Sequence, residues 1–273
     1  MESGQGNAKR QLQAFWNEAS CGEVYAVGET EAQRLDRQEA ERYRLEPYIS
    51  SFARFHEGKG IAVLEVGIGM GADHLQWARE CPARLVGIDL TPRAVAITSR
   101  RLDMHGFPKL VFLGDAENLP FLDHSFDLVY SYGVLHHSPD TRKATHEVRR
   151  VLRPGGKARI MIYHRNSPVG WLLWIRYAGF SGQWRTPLSE IYSRHLESPG
   201  TKAFTKKEAK ELFPDFSIVN LRVRLSFGDL LQGEVGQRHR GFALSVAKRL
   251  WPSWILKRLD GWIGLCLFVE AQK

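Results

Sequence analysis

Three acidic residues lie at or just after short apolar runs in the first half of the sequence, and their spacing could build a ligand site. These residues are Glu65, Asp89 and Asp115. The carboxyl ends of parallel strands share one edge of a sheet, where open α/β folds bind ligands. At that edge Asp89 could accept both hydroxyls of a ribose, and Asp115 could accept from an adenine amino group. The pattern predicts a nucleoside site, although each carboxylate taken alone could equally be a loop residue or a helix cap.

A glycine-rich turn follows the first apolar run and precedes a predicted helix. Gly67, Gly69 and Gly71 are separated by single residues, whereas a dinucleotide-binding loop has the spacing G-x-G-x-x-G. Such a turn lets backbone amides and a helix N-terminus face a ligand. Glu65, shortly before the turn, is poorly suited to a pyrophosphate but could balance a cationic sulfonium amino acid. The turn therefore favours a cationic ligand over a dinucleotide.

Two consecutive histidines follow the fourth predicted strand, at the same edge. His136 and His137 carry imidazoles, which titrate in the range that a general base needs. Tyr163 and His164 end the fifth predicted strand and face the same edge. We therefore predict that His136, His137 and Tyr163 are catalytic and that His164 contacts the substrate. Structural histidines bonded to the backbone are the alternative.

A later segment, residues 192–198, could cover the pocket. Its candidate substrate-binding residues are Tyr192 and His195, and a surface helix end is the alternative interpretation. Cys21 lies in a Cys-Gly loop and could act as a nucleophile, but small free cysteines usually serve as packing residues. The three cysteines form no close pair, so we predict neither a disulfide framework nor a metal site.

The elements that must position these residues alternate along the chain. Short apolar runs, predicted as strands, are separated by amphipathic stretches, predicted as helices, after a mainly helical N-terminal segment. This order at short spacing predicts an α/β fold with a parallel sheet covered on both faces. The predicted strands are residues 61–66, 84–88, 110–113, 126–131, 157–163, 216–227 and 263–272.

The composition is that of a globular protein. Of the 273 residues, 43% are hydrophobic and 25% are charged, which excludes a disordered or fibrous chain. The polar N-terminus lacks the apolar segment of a secretory signal. The best apolar run, residues 262–269, contains Gly264 and is shorter than the roughly 20 residues of a membrane span. We therefore expect a cytoplasmic protein.

The positive charge lies in the C-terminal part. Residues 160–273 hold 17 basic and 9 acidic side chains, which accounts for the whole formal charge of +8, and six of the eight tryptophans. The stretch Phe242–Leu259 arranges tryptophans and basic residues as an interfacial membrane helix does, although Pro252 would interrupt it. A helix packed on the sheet is the alternative. The sequence thus leaves peripheral membrane contact open.

The motifs of residues 61–163 resemble, in order, those of the class I S-adenosylmethionine-dependent methyltransferases, in the group that includes the ubiquinone and menaquinone biosynthesis enzymes. The matching segments are Val63–Gly71, Gly87–Leu90, Gly114–Phe121, Phe126–Ser131 and Arg149–Gly156. The resemblance implies a Rossmann-like, doubly wound sheet of seven strands with an antiparallel last strand, and S-adenosylmethionine as the cofactor.

The resemblance also implies which residues would contact the cofactor. The glycine turn would approach its methionine part, Asp89 its ribose, and Asp115 and Ala116 its adenine. In this family an N-terminal helical segment often closes the site, which Tyr25 or Tyr43 could do here. The predicted cofactor-binding residues are Tyr25, Glu65, Gly67, Gly69, Gly71, Asp89, Leu90, Asp115, Ala116 and Ser131.

We expect three parts in the chain. Residues 1–57 would form an N-terminal helical cap, and residues 58–163 the cofactor-binding core. Residues 164–273 would complete the sheet and carry two inserts, residues 164–204 and 228–262, which would shape the acceptor pocket.

The resemblance implies methyl transfer from S-adenosylmethionine to a small-molecule acceptor, and an apolar acceptor would suit the tryptophan-rich inserts. A peripheral-membrane methyltransferase of a quinone or lipid precursor and a non-catalytic S-adenosylmethionine-binding regulatory protein are the alternatives. Residues 131–134, Ser-Tyr-Gly-Val, stand where methyltransferases of base nitrogens have an Asn/Asp-Pro-Pro-aromatic run, which argues against nucleic acid. The acceptor atom is left open among oxygen, nitrogen, carbon and sulfur.

Overall fold

A seven-stranded sheet forms the centre of the structure, a computed structural model that describes residues 2–232, 251 and 253–273. The strands are β1 (Ala62–Val66), β2 (Arg84–Asp89), β3 (Val111–Leu113), β4 (Phe126–Tyr132), β5 (Leu152–Tyr163), β6 (Ile218–Arg224) and β7 (Cys266–Gln272). Their spatial order is β3-β2-β1-β4-β5-β7-β6. Strands β1 to β5 are parallel, whereas β7 is antiparallel to both of its neighbours. This architecture confirms the predicted fold class.

Helices flank the sheet, and several of their N-termini carry side-chain caps. Thr91 accepts a hydrogen bond from the Ala94 amide and precedes Pro92, and Asp140 caps a later helix in the same way. The helices are α1 (Glu2–Glu18), α2 (Glu31–Leu45), α3 (Tyr48–Ala53), α4 (Ala72–Arg79), α5 (Pro92–Met104), α6 (Thr141–Val151), α7 (Pro168–Trp174), α8 (Leu188–Ile191), α9 (Lys206–Glu211) and α10 (Ser253–Arg258). Short π-helical segments, Ile175–Gly179 and Tyr192–Leu196, follow α7 and α8.

The core lies on both faces of the sheet. All five residues of β1 are buried, because a central parallel strand is covered on each face. Leu64 belongs to the cluster that includes α6 residues, and Val63 to the opposite cluster, which includes α3 and α7 residues. The sheet is therefore a rigid platform whose carboxyl edge holds the residues that follow β1, β2, β4 and β5.

The last two strands are shorter than the sequence predicts. Residues 216–227 and 263–272 were expected to be extended throughout, but the ladder ends at the start of β7. There the Leu265 amide donates to the Asp229 carboxylate at 2.7 Å. The buried Asp229 side chain accepts the hydrogen bond that this amide would donate to a neighbouring strand if β7 were longer. The chain before β7 is therefore a loop.

Part of the C-terminal prediction lies outside the described residues. Of the predicted amphipathic stretch 242–259, residues 242–250 and 252 are not among them. The end of the stretch contains the short helix α10. In the part of the chain that the structure covers, no helix combines the length and apolar character needed to cross a membrane.

Candidate cofactor and acceptor site

A cavity of about 260 Å³ lies at the carboxyl edge of the sheet. We call the part beside β1, β2 and β3 the cofactor end, and the part beside β4, β5 and β7 the acceptor end. The predicted residues on its wall are Glu65, Gly67, Gly69, Asp89, Leu90, Asp115, Ala116, His137 and Tyr163. The fold thus brings both predicted ends of the site into one cavity, while the binding roles of these residues stay predictions.

The turn requires glycine for two reasons: its backbone conformation, and the lack of room for a side chain at two of the positions. Gly67, Gly69 and Gly71 all have positive φ, of 83°, 51° and 77°, a region that other residues rarely adopt. A Cβ on Gly67 would collide with Val134, and one on Gly71 would lie 2.7 Å from Thr98 Oγ1. A Cβ on Gly69 would meet nothing within 4 Å. Gly67 and Gly71 therefore shape the turn, and Gly69 leaves open space on the cavity wall.

Asp89 is held at the end of β2 by the turn. Its Oδ2 accepts from the Gly69 amide at 3.1 Å, and its Oδ1 accepts from the amide and hydroxyl of Thr91, each at 2.9 Å. Burial raises the pKa of Asp89, and the donated hydrogen bonds oppose that rise. The carboxylate is thereby oriented on the wall, where it can accept from ribose hydroxyls.

Helix α1 covers the cofactor end. Its Lys9 Nζ lies 2.6 Å from carboxylate oxygens of both Asp115 and Glu117, and Gln13 donates to the Leu90 carbonyl at 2.7 Å. Lys9, Leu12 and Trp16 line the cavity. The N-terminal segment is therefore helical, as predicted, and α1 supplies these contacts.

Neither tyrosine predicted for this closure lies on the cavity wall. Tyr25 is half-buried in the 3₁₀ turn Glu23–Tyr25. Tyr43 donates to Asp73 Oδ1 at 2.9 Å. Sequence spacing did not indicate α1, because its contacts with the core join residues roughly 100 positions apart.

Glu65 forms a buried pair with a helix histidine. Its Oε2 lies 2.9 Å from His74 Nδ1, and both side chains are almost fully buried. Burial raises the pKa of Glu65 well above its usual value, and the charge of Asp73 raises it further. Burial lowers the pKa of His74 to about 3. Both groups therefore favour their neutral forms, and a cationic ligand nearby would favour ionised Glu65.

Asp73 organises a buried network that joins α2, α4 and β4. Arg42 donates to both of its carboxylate oxygens, at 2.9 and 2.6 Å. Tyr43 and Tyr130 donate to the same carboxylate, at 2.9 and 2.8 Å. Burial opposes ionisation of Asp73, but Arg42 outweighs it and the pKa of Asp73 is lowered. The sequence reasoning missed this residue, and its position two residues after Gly71 was the available signal.

A hydrogen-bonded cluster forms the acceptor end. The Tyr163 phenol donates to Glu197 Oε2 at 2.7 Å, and His137 Nε2 lies 3.4 Å from the same oxygen. His137 Nδ1 is 2.8 Å from Ser198 Oγ. Burial, and then the charge of Glu197, raise the pKa of Tyr163 well above its usual value. Tyr163 therefore acts as a neutral donor, and Glu197 connects it to His137.

His136 lies behind this cluster and does not line the cavity. Its ring is 3.8 Å from that of Tyr163 and 4.1 Å from that of His137, between centroids. It is fully buried, and neither ring nitrogen has a hydrogen-bond partner in the described part of the chain. Burial lowers the pKa of His136 well below its usual value, so the ring is neutral. Ligand atoms of His136, His137 and Glu197 lie within 4.8 Å of one another, so a metal ion could be held here.

The rest of the acceptor end is mostly apolar and holds one further carboxylate. Glu46 accepts from the Tyr132 phenol at 3.0 Å, and burial raises its pKa. Cys21, which the sequence suggested as a packing residue, also lines the cavity. The apolar residues here are Trp16, Met161, Val169, Leu196, Phe227 and Leu265.

Ser131 has a structural role. This buried hydroxyl donates to the Val66 carbonyl at 2.9 Å and joins β4 to β1. It does not line the cavity, although it was predicted to contact the cofactor.

The three predicted substrate contacts also lie away from the cavity wall. His164 Nδ1 lies 3.2 Å from a backbone carbonyl of the loop before β7. The Tyr192 phenol donates to the Arg165 carbonyl at 2.9 Å. His195 stacks on Tyr177 with the ring centroids 3.8 Å apart. The wall instead receives Leu196 and Glu197, the next residues of the predicted covering segment.

Residues 64–160 match the methyltransferase domain family. The phthiotriol/phenolphthiotriol dimycocerosates methyltransferase of Mycobacterium leprae is 43% identical over 114 residues, which are 41% of each chain. Phosphoethanolamine N-methyltransferase 2 of Caenorhabditis elegans is 34% identical over 116 residues, 42% of this chain and 26% of the relative. The matched segment thus spans less than half the length of these relatives.

Among solved structures, the chain is similar to phosphoethanolamine N-methyltransferase 2 of Haemonchus contortus in complex with phosphomonomethylethanolamine and S-adenosylhomocysteine. The TM-score is 0.59 at 18% identity, and the match covers 96% of this chain and 60% of the other. Residues 64–160 therefore form a methyltransferase domain, which supports the resemblance seen in the motifs, and the structural similarity shows the same fold. Neither relative is named as a quinone methyltransferase, so that subgroup stays a prediction.

S-adenosylmethionine, the cofactor of this class, fits the cofactor end. Among the described residues on the wall there are six carboxylates and two cationic side chains, Lys9 and Arg42, both paired with carboxylates. This excess suits a ligand that carries a positive charge. The space beside Gly69 lets the ligand approach the backbone. Asp89 would hold the ribose, and Asp115 would accept from the adenine.

Proposed function

We propose that this protein transfers a methyl group from S-adenosylmethionine to a small-molecule acceptor bound at the acceptor end. One observation carries the proposal: a single cavity is lined by Asp89 and Asp115 at one end and by His137, Tyr163 and Glu197 at the other. The cofactor supplies the methyl group on an electrophilic sulfonium. The chain must then align the acceptor and manage its proton.

His137 is suited to take that proton. Its Nδ1 is engaged by Ser198, while its Nε2 has no hydrogen-bond partner in the described part of the chain. A neutral Nε2 can accept the proton of a hydroxyl, phenol or thiol. Glu197, 3.4 Å away, then stabilises the imidazolium. Tyr163 holds Glu197 in place through its hydrogen bond. His136 packs against both rings and acts as a positioning residue.

The charged residues of the cavity restrict which kinds of acceptor molecule can bind. Glu46 and Glu197 lie in mostly apolar surroundings, and the two cationic side chains among the described wall residues are paired. Against this described part of the wall, a phosphate-bearing acceptor would meet carboxylates and no unpaired lysine or arginine, at a high electrostatic cost. We therefore favour an uncharged, largely apolar acceptor with a hydroxyl group. Of the two relatives, the phthiotriol/phenolphthiotriol dimycocerosates methyltransferase is named for a triol, a compound with hydroxyl groups like the acceptor that we propose.

The test is turnover with fractionated acceptors. Purified protein and S-adenosylmethionine are incubated with a bacterial extract split into aqueous and organic phases, and S-adenosylhomocysteine release is measured. We expect release with the organic phase and none with Asp89→Ala. Cofactor binding without release from either phase would contradict catalysis and favour a regulatory protein. Release driven only by the aqueous phase would contradict the apolar acceptor.

A further inference from the structure

Large apolar side chains are concentrated on the surface of residues 171–184. Phe180 is 86% exposed and Trp184 is 68% exposed, and Trp171 and Ile175 are also exposed. Single exposed apolar residues are common, but contiguous groups mark interaction surfaces. We call these four residues the α7 patch.

The residues of the α7 patch belong to one folded segment. Trp171 and Ile175 are four residues apart in a helical segment and so share a face. The loop that carries Trp184 is fixed against the helix, because Trp174 Nε1 donates to the Thr186 carbonyl at 2.8 Å and its ring lies 5.8 Å from that of Trp184. The patch is therefore part of the folded structure.

A second group of exposed apolar residues lies in α10 and in the segment between α10 and β7. Trp254 and Trp262 are 64% and 80% exposed, and Ile255 and Leu259 are exposed as well. We call these four residues the α10 patch. The segment that follows α10 joins the segment that precedes α7 through a hydrogen bond of 3.1 Å from the Gly264 amide to the Asn166 carbonyl. The segments that carry the two patches are therefore joined at the corner where β5 ends and β7 begins.

Basic residues accompany both patches. Residues 166–189 contain no aspartate or glutamate, and their two charged residues, Arg176 and Arg185, are exposed. In α10, Lys257 and Arg258 are exposed, and the Arg258 guanidinium lies 5.4 Å from the centre of the Trp254 ring. Tryptophan together with lysine and arginine is typical of surfaces that bind anionic lipid headgroups.

The other side of α7 forms part of the acceptor end. Val169 lines the cavity, and Leu173 is buried in the core between the helix and the sheet. Leu265, which follows the hydrogen-bonded Gly264, also lines the cavity. The α7 patch and the apolar acceptor end thus lie on opposite sides of α7, and the chain reaches the cavity wall at Leu265 shortly after the α10 patch.

We propose that the α7 and α10 patches together bind an anionic lipid bilayer, from which an apolar acceptor enters the acceptor end. The entry of the acceptor rests on the proposed function, whereas binding to the bilayer does not. The tryptophans and Phe180 insert at the headgroup level, and the arginines and Lys257 contact the lipid phosphates. A second copy of this chain is the rival occupant, and the test separates the two.

The experiment is co-sedimentation of the full chain with vesicles of phosphatidylcholine, with and without phosphatidylserine. We expect binding to the anionic vesicles that weakens with salt. Phe180→Ser/Trp184→Ser should reduce the affinity at least tenfold, and Arg176→Gln/Arg185→Gln by about fivefold for each charge removed. The matched control is Leu122→Ser, which removes an 83% exposed side chain between β3 and β4 and should bind as the wild type does.

Two results would overturn the proposal. One is the absence of sedimentation with anionic vesicles at low salt, and the other is a concentration-dependent dimer that Phe180→Ser/Trp184→Ser abolishes. Cofactor affinity, measured by calorimetry, should be unchanged in every variant, because none of the altered residues lines the cavity. Sedimentation without turnover would leave the surface intact and contradict only the proposed function. Turnover without sedimentation would contradict binding to the bilayer and leave the proposed function intact.

Discussion

The Tyr163 phenol donates a hydrogen bond of 2.7 Å to the Glu197 carboxylate, across 34 positions of sequence. Tyr163 ends β5, and Glu197 directly follows the π-helical segment Tyr192–Leu196. The bond fastens the insert after β5 to the end of the sheet and leaves the carboxylate beside His137. It therefore determines both the shape and the charge of the acceptor end.

Removing this hydrogen bond should reduce turnover without affecting the cofactor. Tyr163→Phe leaves Glu197 without its donor, so the carboxylate should no longer be held beside His137. A hydrogen bond to a charged group contributes about 1.5–3 kcal/mol. We expect kcat to fall about tenfold to a hundredfold while the Kd for S-adenosylmethionine stays unchanged, measured by S-adenosylhomocysteine release and calorimetry.

The matched control is Tyr192→Phe, which removes another buried phenol with hydrogen bonds, away from the cavity wall. It should lower Tm and leave kcat unchanged. Equal kcat values for Tyr163→Phe and the wild type would show that the Tyr163–Glu197 bond has only a structural role.

Asp89 should contribute to cofactor affinity through ribose hydroxyls. Asp89→Asn keeps the size of the side chain but removes its charge, so the affinity should fall about tenfold to a hundredfold. Because Asp89 also accepts from Gly69 and Thr91, the variant could act through the turn. A 2′-deoxy analogue of S-adenosylhomocysteine separates the two effects. If ribose is the partner, the variant and the wild type should bind the analogue with more similar affinities, and an undiminished difference would contradict this assignment.

Cofactor affinity should increase with pH through the titration of Glu65. Burial raises the pKa of Glu65 in the ligand-free protein, and a bound cation favours the ionised form and lowers that pKa again. Binding therefore releases a proton when the pH lies below the raised pKa, and affinity is lost as the pH falls. Calorimetry in buffers of different ionisation enthalpy measures this release directly.

The pH effect should be larger for S-adenosylmethionine than for S-adenosylhomocysteine, which lacks the sulfonium charge. Glu65→Gln should flatten the dependence for both ligands. A pH dependence that persists in Glu65→Gln would assign the titration to another group.

Lys9 should hold α1 over the cofactor end. Lys9→Met removes two ion pairs of 2.6 Å, with Asp115 and Glu117. Partly exposed pairs contribute up to about 1 kcal/mol each, so α1 should open more often and the cofactor should dissociate up to about thirtyfold faster. Stopped-flow measurement of dissociation and limited proteolysis of α1 both report this change. Arg10→Met, which alters the exposed neighbour, should leave both rates unchanged.

Much of the cofactor end could be predicted from local sequence. Gly67 and Gly69 lie in a turn whose φ values only glycine readily adopts, and Asp89 ends a parallel strand. Parallel strands end at a common edge of the sheet. A residue that directly follows such a strand in the sequence therefore lies at that edge. The predicted fold and the residues brought to the cofactor end follow from this relationship.

The residues that line the acceptor end could be identified only from the tertiary structure. His164 and Tyr192 were plausible contacts by their position in the sequence, but both form structural hydrogen bonds away from the cavity wall. Glu197 and Lys9 reach the cavity through contacts with residues 34 and 106 positions away. Inserts and caps have no strand register that orients their side chains, so packing of distant segments decides which ones enter the cavity. The sequence by itself therefore determined the class of cofactor and the sheet edge that binds it, and the tertiary structure decided what surrounds the acceptor.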